Sequence, residues 1–294
     1  MNRLPDEPTG AMRRPARVIK RLVTYTGLVL LGLYVVLFFA QTGVIFESDP
    51  KVRKTPESLG WKFEEVKLPV GRETTFGWFI PADNERGVVL VCHGNGGNMG
   101  THLSGTRQFR NLGFSILLFD YGGFGKSTGK PSERRCYADA EAMWRYLSHT
   151  RGVPPERILV WGGSFGGGTA CELARRVQPH ALILQSTFRS MAKAAFGERW
   201  GWAATPFLRH RFNNERKIAS VHCPVLIIHS RGDTLYPFSH GEKLYQLANE
   251  PKQFIEIQGD HYGWEGRSNK GFVQSLRAFL EPLFPEPKTS PAKP

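Results

Sequence analysis

Three side chains of this 294-residue chain have the types and the chain order that nucleophilic acyl transfer needs. Gly162-Gly163-Ser164-Phe165-Gly166 follows a short apolar run at 158–161 and opens a helical stretch at 166–177. A GxSxG pentapeptide between a strand and a helix is a nucleophile elbow, with the serine on a sharp, strained turn. Gly162 and Gly166 supply the small neighbours such a turn requires, and Gly167 and Gly168 let the helix approach the sheet. The helix N-terminus then lends partial positive charge to a developing anion. The competing reading, a phosphate-binding loop, lacks the P-loop lysine and a GxGxxG followed by an acid.

A serine nucleophile needs a base, and the base an orienting acid. Of nine histidines, His102, His149, His180, His210, His222 and His240 fall in helical or loop stretches away from a strand's C-terminal end. His93 and His229 close strands and are read as supporting the loops there. His261, in Gly259-Asp260-His261-Tyr262-Gly263, directly follows the last expected strand, at the sheet edge where open α/β folds place their sites. The acid should lie between serine and histidine in chain order. Asp233 does, 69 residues after Ser164 and 28 before His261. Its rivals are Asp260, adjacent to His261, Glu256, inside a strand, and Asp120, which precedes the serine. The oxyanion needs two fixed N–H donors. Phe165 supplies one, and the loop His93-Gly94-Asn95-Gly96-Gly97-Asn98 the other, at Asn95 give or take one residue; the plain alternative for that loop is a tight glycine turn. Asp120, in Asp120-Tyr121-Gly122-Gly123, is read as ordering a loop. It lacks the companion ligands a metal would require.

The elements that position these groups follow from hydropathy. Short β-branched, apolar runs at 88–92, 115–119, 158–161, 181–184, 225–229 and 254–257 suit buried parallel strands. Helical stretches at 99–112, 135–149, 166–177, 238–248 and 270–279 separate them, which is the pattern of a parallel α/β sheet. Runs at 61–68 and 74–80 read as an antiparallel pair. Between 188 and 221 no strand signal occurs, which marks an insertion. The tail 285–294 reads as disordered.

Composition limits the function classes. Hydrophobic residues make up 40% of the chain and aromatic ones 12%, which excludes a disordered chain. Four cysteines without a CxxC pair exclude a disulfide scaffold and a zinc ribbon. They read as buried thiols, with one disulfide open in a non-cytoplasmic domain. The formal charge of +13 would fit nucleic acid, anionic membrane or acidic substrates. Its distribution favours a topological signal: residues 22–46 carry no charge, long enough to cross a bilayer, with Arg3, Arg13, Arg14, Arg17, Lys20 and Arg21 before them and only Lys51, Arg53 and Lys54 shortly after. A cleaved signal peptide would have a shorter apolar run and small residues where Phe38-Phe39-Ala40 stands. No basic helix, zinc finger or RNA-binding signature accompanies the charge, so no nucleic-acid partner is expected.

Over residues 61–284 the chain resembles the α/β-hydrolase superfamily, most of all its serine-aminopeptidase-like branch and the membrane-anchored α/β-hydrolase domain-containing proteins. The resemblance is carried by GWFIPA at 77–82, CHGNGGN at 92–98, DYGGFGKSTGKPSE at 120–133, GGSFGGG at 162–168, CPVLIIHSRGDTLYPFSHGEKLY at 223–245 and GDHYG at 259–263. It implies the same triad, Ser164, Asp233 and His261. The chain departs from the family at His229-Ser230, where His-Gly is usual, at Val70-Gly71-Arg72-Glu73 in place of an Asp-Gly turn, and at Tyr262, where a smaller polar residue is common. The insertion would then be a small cap. Its Phe188, Met191, Phe196, Trp200, Trp202, Phe207 and Phe212 would line an acyl pocket, and its basic residues would meet lipid headgroups or an acidic substrate; alternatively the aromatics pack the cap to the sheet and the charges are solvated.

The expectation is therefore an α/β-hydrolase fold, a mostly parallel, doubly wound sheet with a small cap, behind one N-terminal transmembrane helix. The segments are a basic cytoplasmic N-terminus (1–21), an anchor (22–45), a linker (46–60), the hydrolase domain (61–284) and the tail. The expected activity is serine hydrolysis of an ester, thioester or amide through an acyl-enzyme, esterase-like first, with aminopeptidase or protein-deacylating thioesterase as alternatives. A non-catalytic binding protein on the same fold is the alternative of another class. The expected partners are an acyl-containing small molecule or lipid and the membrane, with no cofactor and no metal, and the catalytic domain on the far side of the membrane.

Overall fold

A computed structural model describes residues 13–261 and 271–286, the side chains from residue 17 onward. Most of the basic N-terminus, Tyr262-Gly263 and most of the expected tail lie outside the described residues. Eight strands form one sheet in the order β1-β2-β4-β3-β5-β6-β7-β8. β1 (Glu64–Val70) and β2 (Glu73–Ile80) pair antiparallel, and β2 runs antiparallel to β4 (Phe114–Phe119). The remaining strands, β3 (Gly87–Cys92), β4, β5 (Ile158–Gly163), β6 (Ala181–Gln185), β7 (Val225–Ser230) and β8 (Lys252–Ile257), are mutually parallel.

The central strands are buried along their whole length because both faces are covered. Val88, Leu90 and Cys92 of β3 point into one apolar layer, shared with α4 (Glu133–Arg145), α5 (Gly166–Val177) and α8 (Ser239–Leu247). Val89 and Val91 point into the other, shared with α2 (Met99–His102), α3 (Arg107–Asn111) and α9 (Phe272–Leu280). Two-sided burial is why these strands read as continuous apolar runs.

Local chemistry adjusts the expected boundaries. The helix expected over 99–112 is broken into α2, a 3-10 turn at Leu103–Thr106 and α3. Ser104-Gly105-Thr106 are poor helix formers, and Thr106 Oγ1 donates back to the Leu103 carbonyl, 2.8 Å. α4 begins behind Ser132, whose hydroxyl caps the Arg135 N–H, and ends in a π turn at Tyr146–Thr150. All four cysteines are buried free thiols.

The insertion holds no strand among its described residues. It comprises α6 (Met191–Ala204), a 3-10 turn at Thr205–Phe207 and α7 (Asn214–Lys217). The N-terminal helix α1 spans Arg13–Ile45, and within its stretch 17–45 an 18-residue window has a mean hydropathy of 2.3 and no buried share, long and apolar enough to cross a membrane. The expected linker 46–60 is not a free tether at its start. Phe46 is 5% exposed within the core, Ser48 bridges Gly97, and the Asp49 carbonyl accepts the Gly125 N–H.

Candidate active site

β5 ends at Gly163 and α5 begins at Gly166, so Ser164 sits in a two-residue turn. Its φ of +52° is rare for a non-glycine residue and holds the side chain proud of the sheet edge. Only glycine fits beside it: a Cβ on Gly162 would strike Ala170 and the Gly166 carbonyl, and one on Gly166 the Cys92 carbonyl. The strained turn is tied down from both sides. The Ser164 N–H donates to the Gln185 carbonyl at 2.8 Å, and the Ser164 carbonyl accepts from Thr187 Oγ1 at 2.7 Å.

Ser164 Oγ lies 2.8 Å from His261 Nε2, and His261 Nδ1 lies 2.8 Å from Asp233 Oδ2. The other oxygen of Asp233 accepts the N–H groups of Leu235 (3.0 Å) and Tyr236 (2.8 Å). Asp233 is thus held by its own loop and keeps one oxygen for the histidine. His229 braces that loop, with Nε2 2.8 Å from the Tyr236 carbonyl and 3.5 Å from Asp233. Burial keeps His229 below the ordinary histidine range, hence neutral. The Tyr236 ring meets His261 edge-on at 5.1 Å. The rivals for the acid lie elsewhere: Glu256 pairs with Arg231 at 2.9 Å, Asp260 is exposed, and Asp120 is buried under the loop at 93–98.

That loop forms the opposite wall. Asp120 Oδ1 accepts the Met99 N–H at 2.6 Å and lies 3.4 Å from His93 Nε2, a loop-ordering position. Both polar atoms of the Asn95 side chain are engaged. Its Nδ2 donates to the Ile45 carbonyl (2.8 Å) and its Oδ1 accepts the Glu47 N–H (3.1 Å), ties that do not involve the backbone N–H of Asn95. Among the described residues, neither that N–H nor the one of Phe165 donates within the protein. Gly94 faces Ser164 directly: a Cβ there would lie 3.5 Å from the serine Cβ.

A cavity of about 320 Å³ opens over Ser164 and His261, lined among others by His93, Gly94, Asn95, His102, Trp161 and Gln185. Both amide atoms of Gln185 and the Trp161 indole nitrogen are buried without a hydrogen-bond partner. His102, expected only as a helical residue, stacks on His93 at 5.0 Å, and burial lowers it to about 3. Glu47 also lines the cavity. Neither position announces itself locally, because each reaches the site only through the tertiary fold.

The cap does not line this cavity. Phe188 and Phe212 are core residues, while Phe196, Trp200, Trp202 and Phe207 are exposed, so the expected aromatic acyl pocket is corrected. Phe212 instead packs at 4.9 Å on Phe165, which also meets Phe46 at 5.5 Å.

Known proteins share this fold. The sequence model of the alpha/beta hydrolase fold matches residues 87–201. The protein YfhR of Escherichia coli (strain K12) is 36% identical over 212 residues, covering 68% of this chain and 74% of its own. The alpha/beta hydrolase domain-containing protein 17B of Homo sapiens is 33% identical over 181 residues, covering 60% of each chain. Among solved structures, the Pyrococcus furiosus esterase Pf2001 superposes with a TM-score of 0.65 at 19% identity, over 80% of this chain and 98% of that one.

Proposed function

We propose that this chain, which belongs to the α/β-hydrolase superfamily, is a membrane-anchored serine hydrolase that cleaves an acyl ester, thioester or amide through an acyl-enzyme. The observation that carries the reading is the continuous relay from Ser164 Oγ to His261 to Asp233, at 2.8 Å on each side.

In this reading Ser164 Oγ attacks the substrate carbonyl as His261 Nε2 takes its proton. Asp233 holds the Nδ1–H and balances the imidazolium charge. The N–H groups of Phe165 and Asn95 receive the developing oxyanion, helped by the N-terminus of α5. His261 then protonates the leaving group. Water, activated by the same histidine, releases the acid and restores Ser164. The cavity volume lies at the low end for small-molecule sites, and its partnerless Gln185 and Trp161 atoms offer a donor–acceptor set. Both features favour a short or polar acyl substrate over a long alkyl chain. The similar Pyrococcus furiosus protein is an esterase by name, which puts esters first.

The anchor reading rests on the length and apolarity of α1 and on the packing of its C-terminal end against the domain. The surplus of basic residues before the span sends the hydrolase domain to the far side of the membrane. A fluorophosphonate probe should label the full chain and fail to label Ser164→Ala; labelling that survives the substitution overturns the serine mechanism. A panel of acyl esters, thioesters and aminoacyl amides then ranks the bonds. Protease added to intact cells or spheroplasts should reach the hydrolase domain. Digestion only from the cytoplasmic side would reverse the orientation.

A further inference from the structure

The surface beside α1 carries an apolar feature that the catalytic reading leaves unused. Outside α1, the described residues expose six large apolar side chains, and four of them, Phe196, Trp200, Trp202 and Phe207, fall within 196–207. Trp202 is 73% exposed, an unusual state for the largest apolar side chain. The helix that carries three of them, α6, is buried at Ala192 and Gly201. Gly197, at φ +69°, breaks α6 between Phe196 and Trp200.

Charge in the segment is divided in the same way. Arg189 and Lys193 are tied to Glu198 and Glu215. Arg199 and Arg209 are exposed and lie over aromatic rings instead, at 5.4 Å from Trp200 and 5.6 Å from Phe39 of α1.

The segment is joined to the membrane-spanning helix. Gln41 Nε2 donates to the Phe207 carbonyl and Gln41 Oε1 accepts the Arg209 N–H, both at 2.9 Å. Thr42 Oγ1 lies 3.0 Å from His210 Nε2. The Phe207 ring reaches down α1 to Tyr34, 5.8 Å between centroids. A hydrocarbon layer of about 30 Å that begins at Leu22 ends close to Gln41 at 1.5 Å per residue. Gln41 is the first amide or charged side chain after Arg21. The Tyr34 backbone then lies about 10 Å below the far edge of the layer, and the Phe207 ring between the two levels.

We propose that residues 196–207 form an interfacial foot that enters the same leaflet as the C-terminal half of the anchor, with lipid covering Phe196, Trp200, Trp202 and Phe207. Tryptophan and arginine are the side chains that sit well at the edge of this layer, where Gln41 holds the Phe207 backbone, indole at the headgroup boundary and guanidinium on anionic phosphate. The foot fixes the domain against the bilayer. The inference rests on the anchor reading above, and its test separates the two.

The full chain is reconstituted in vesicles of phosphatidylcholine and phosphatidylglycerol, with a nitroxide on Trp202→Cys or Phe196→Cys. The four native cysteines are buried and stay unlabelled. Val29→Cys reports the anchor, and Glu242→Cys, on an exposed position of α8, reports water. Sites 202 and 196 should be more open to oxygen and better shielded from a water-soluble nickel chelate than site 242, at a shallower depth than site 29. In the cysteine-unmodified protein, brominated lipid should quench tryptophan emission, and Trp200→Phe and Trp202→Phe should each reduce that quenching. If site 29 reports lipid while 202 and 196 behave like 242, the foot is wrong and the anchor stands. If site 29 itself reports water, the anchor reading fails and the foot with it. Dipolar broadening at 202 that disappears on dilution with unlabelled chain would identify a second copy as the occupant and overturn the lipid assignment.

Discussion

The two walls of the cavity are built differently. On the acid–base side, Asp233 is held by the N–H groups of its own loop, and His229 braces that loop from the neighbouring strand. On the oxyanion side, Asn95 is held by Ile45 and Glu47, the Gly97 N–H donates to the Glu47 carbonyl, and Asn98 Nδ2 donates to the carbonyls of Asp49 and Lys51. One wall is self-supporting. The other is held by Asp120 and also by the segment that follows α1. The contrast shows that the end of α1 and the residues after it are part of the domain's structure.

The largest expected effect does not discriminate between the walls and sets the scale. Ser164→Ala should lower kcat by about 10⁴–10⁶ with the fold intact, because triad members act as a unit; unchanged turnover would refute the enzymatic reading. Asp233→Asn should cost about 10³–10⁴, through loss of the His261 orientation. Asp260→Asn should be mild, and the reverse ranking would move the acid.

The oxyanion wall is broken from outside. Removal of residues 1–40 leaves Gln41, Phe46 and Glu47 in place and should leave turnover of a water-soluble ester little changed. Removal of 1–51 strips the ties to Asn95, Gly97 and Asn98 and should cost about 10²–10³ in kcat, the scale of one oxyanion donor. Equal activity of the two truncations would show that the wall stands alone.

The smallest expected effect concerns the elbow helix. Burial alone would raise Glu172, but hydrogen bonds from Arg175 and Arg176 and the charge of Lys217 hold it down to about 2. A carboxylate lowered on folding stabilises the fold above its ordinary value of 4.5, and that contribution fades as pH falls towards 2. Glu172→Gln should therefore cost about 2 kcal/mol at neutral pH and converge with the parent near pH 2, as read by denaturant unfolding across pH. A difference that does not change with pH would remove the ionic explanation.

Much of this architecture is legible in local sequence. The strands of the parallel core appear as apolar runs because both faces are buried. The elbow appears as GxSxG because its sterics act over five residues. Asp233 and His261 can be placed because each follows a strand, at the sheet edge where sites form. The roles of Glu47 and His102 could not be read this way, since their neighbours in space are 48 and 6 residues away in the chain. The aromatic cap residues look identical in sequence whether they line a pocket or face outward.

By itself, then, the sequence determines the α/β class, the order of strands and helices, the elbow at Ser164 and the apolar span at 22–46, because each is governed by periodicity or by sterics among near neighbours. Only the tertiary structure decides that Phe46 and Glu47 belong to the hydrolase-fold domain, that His102 faces the cavity, and that Trp200 and Trp202 are exposed outside it. Those outcomes depend on how distant segments pack, and packing is a property of the folded surfaces rather than of any short stretch of chain.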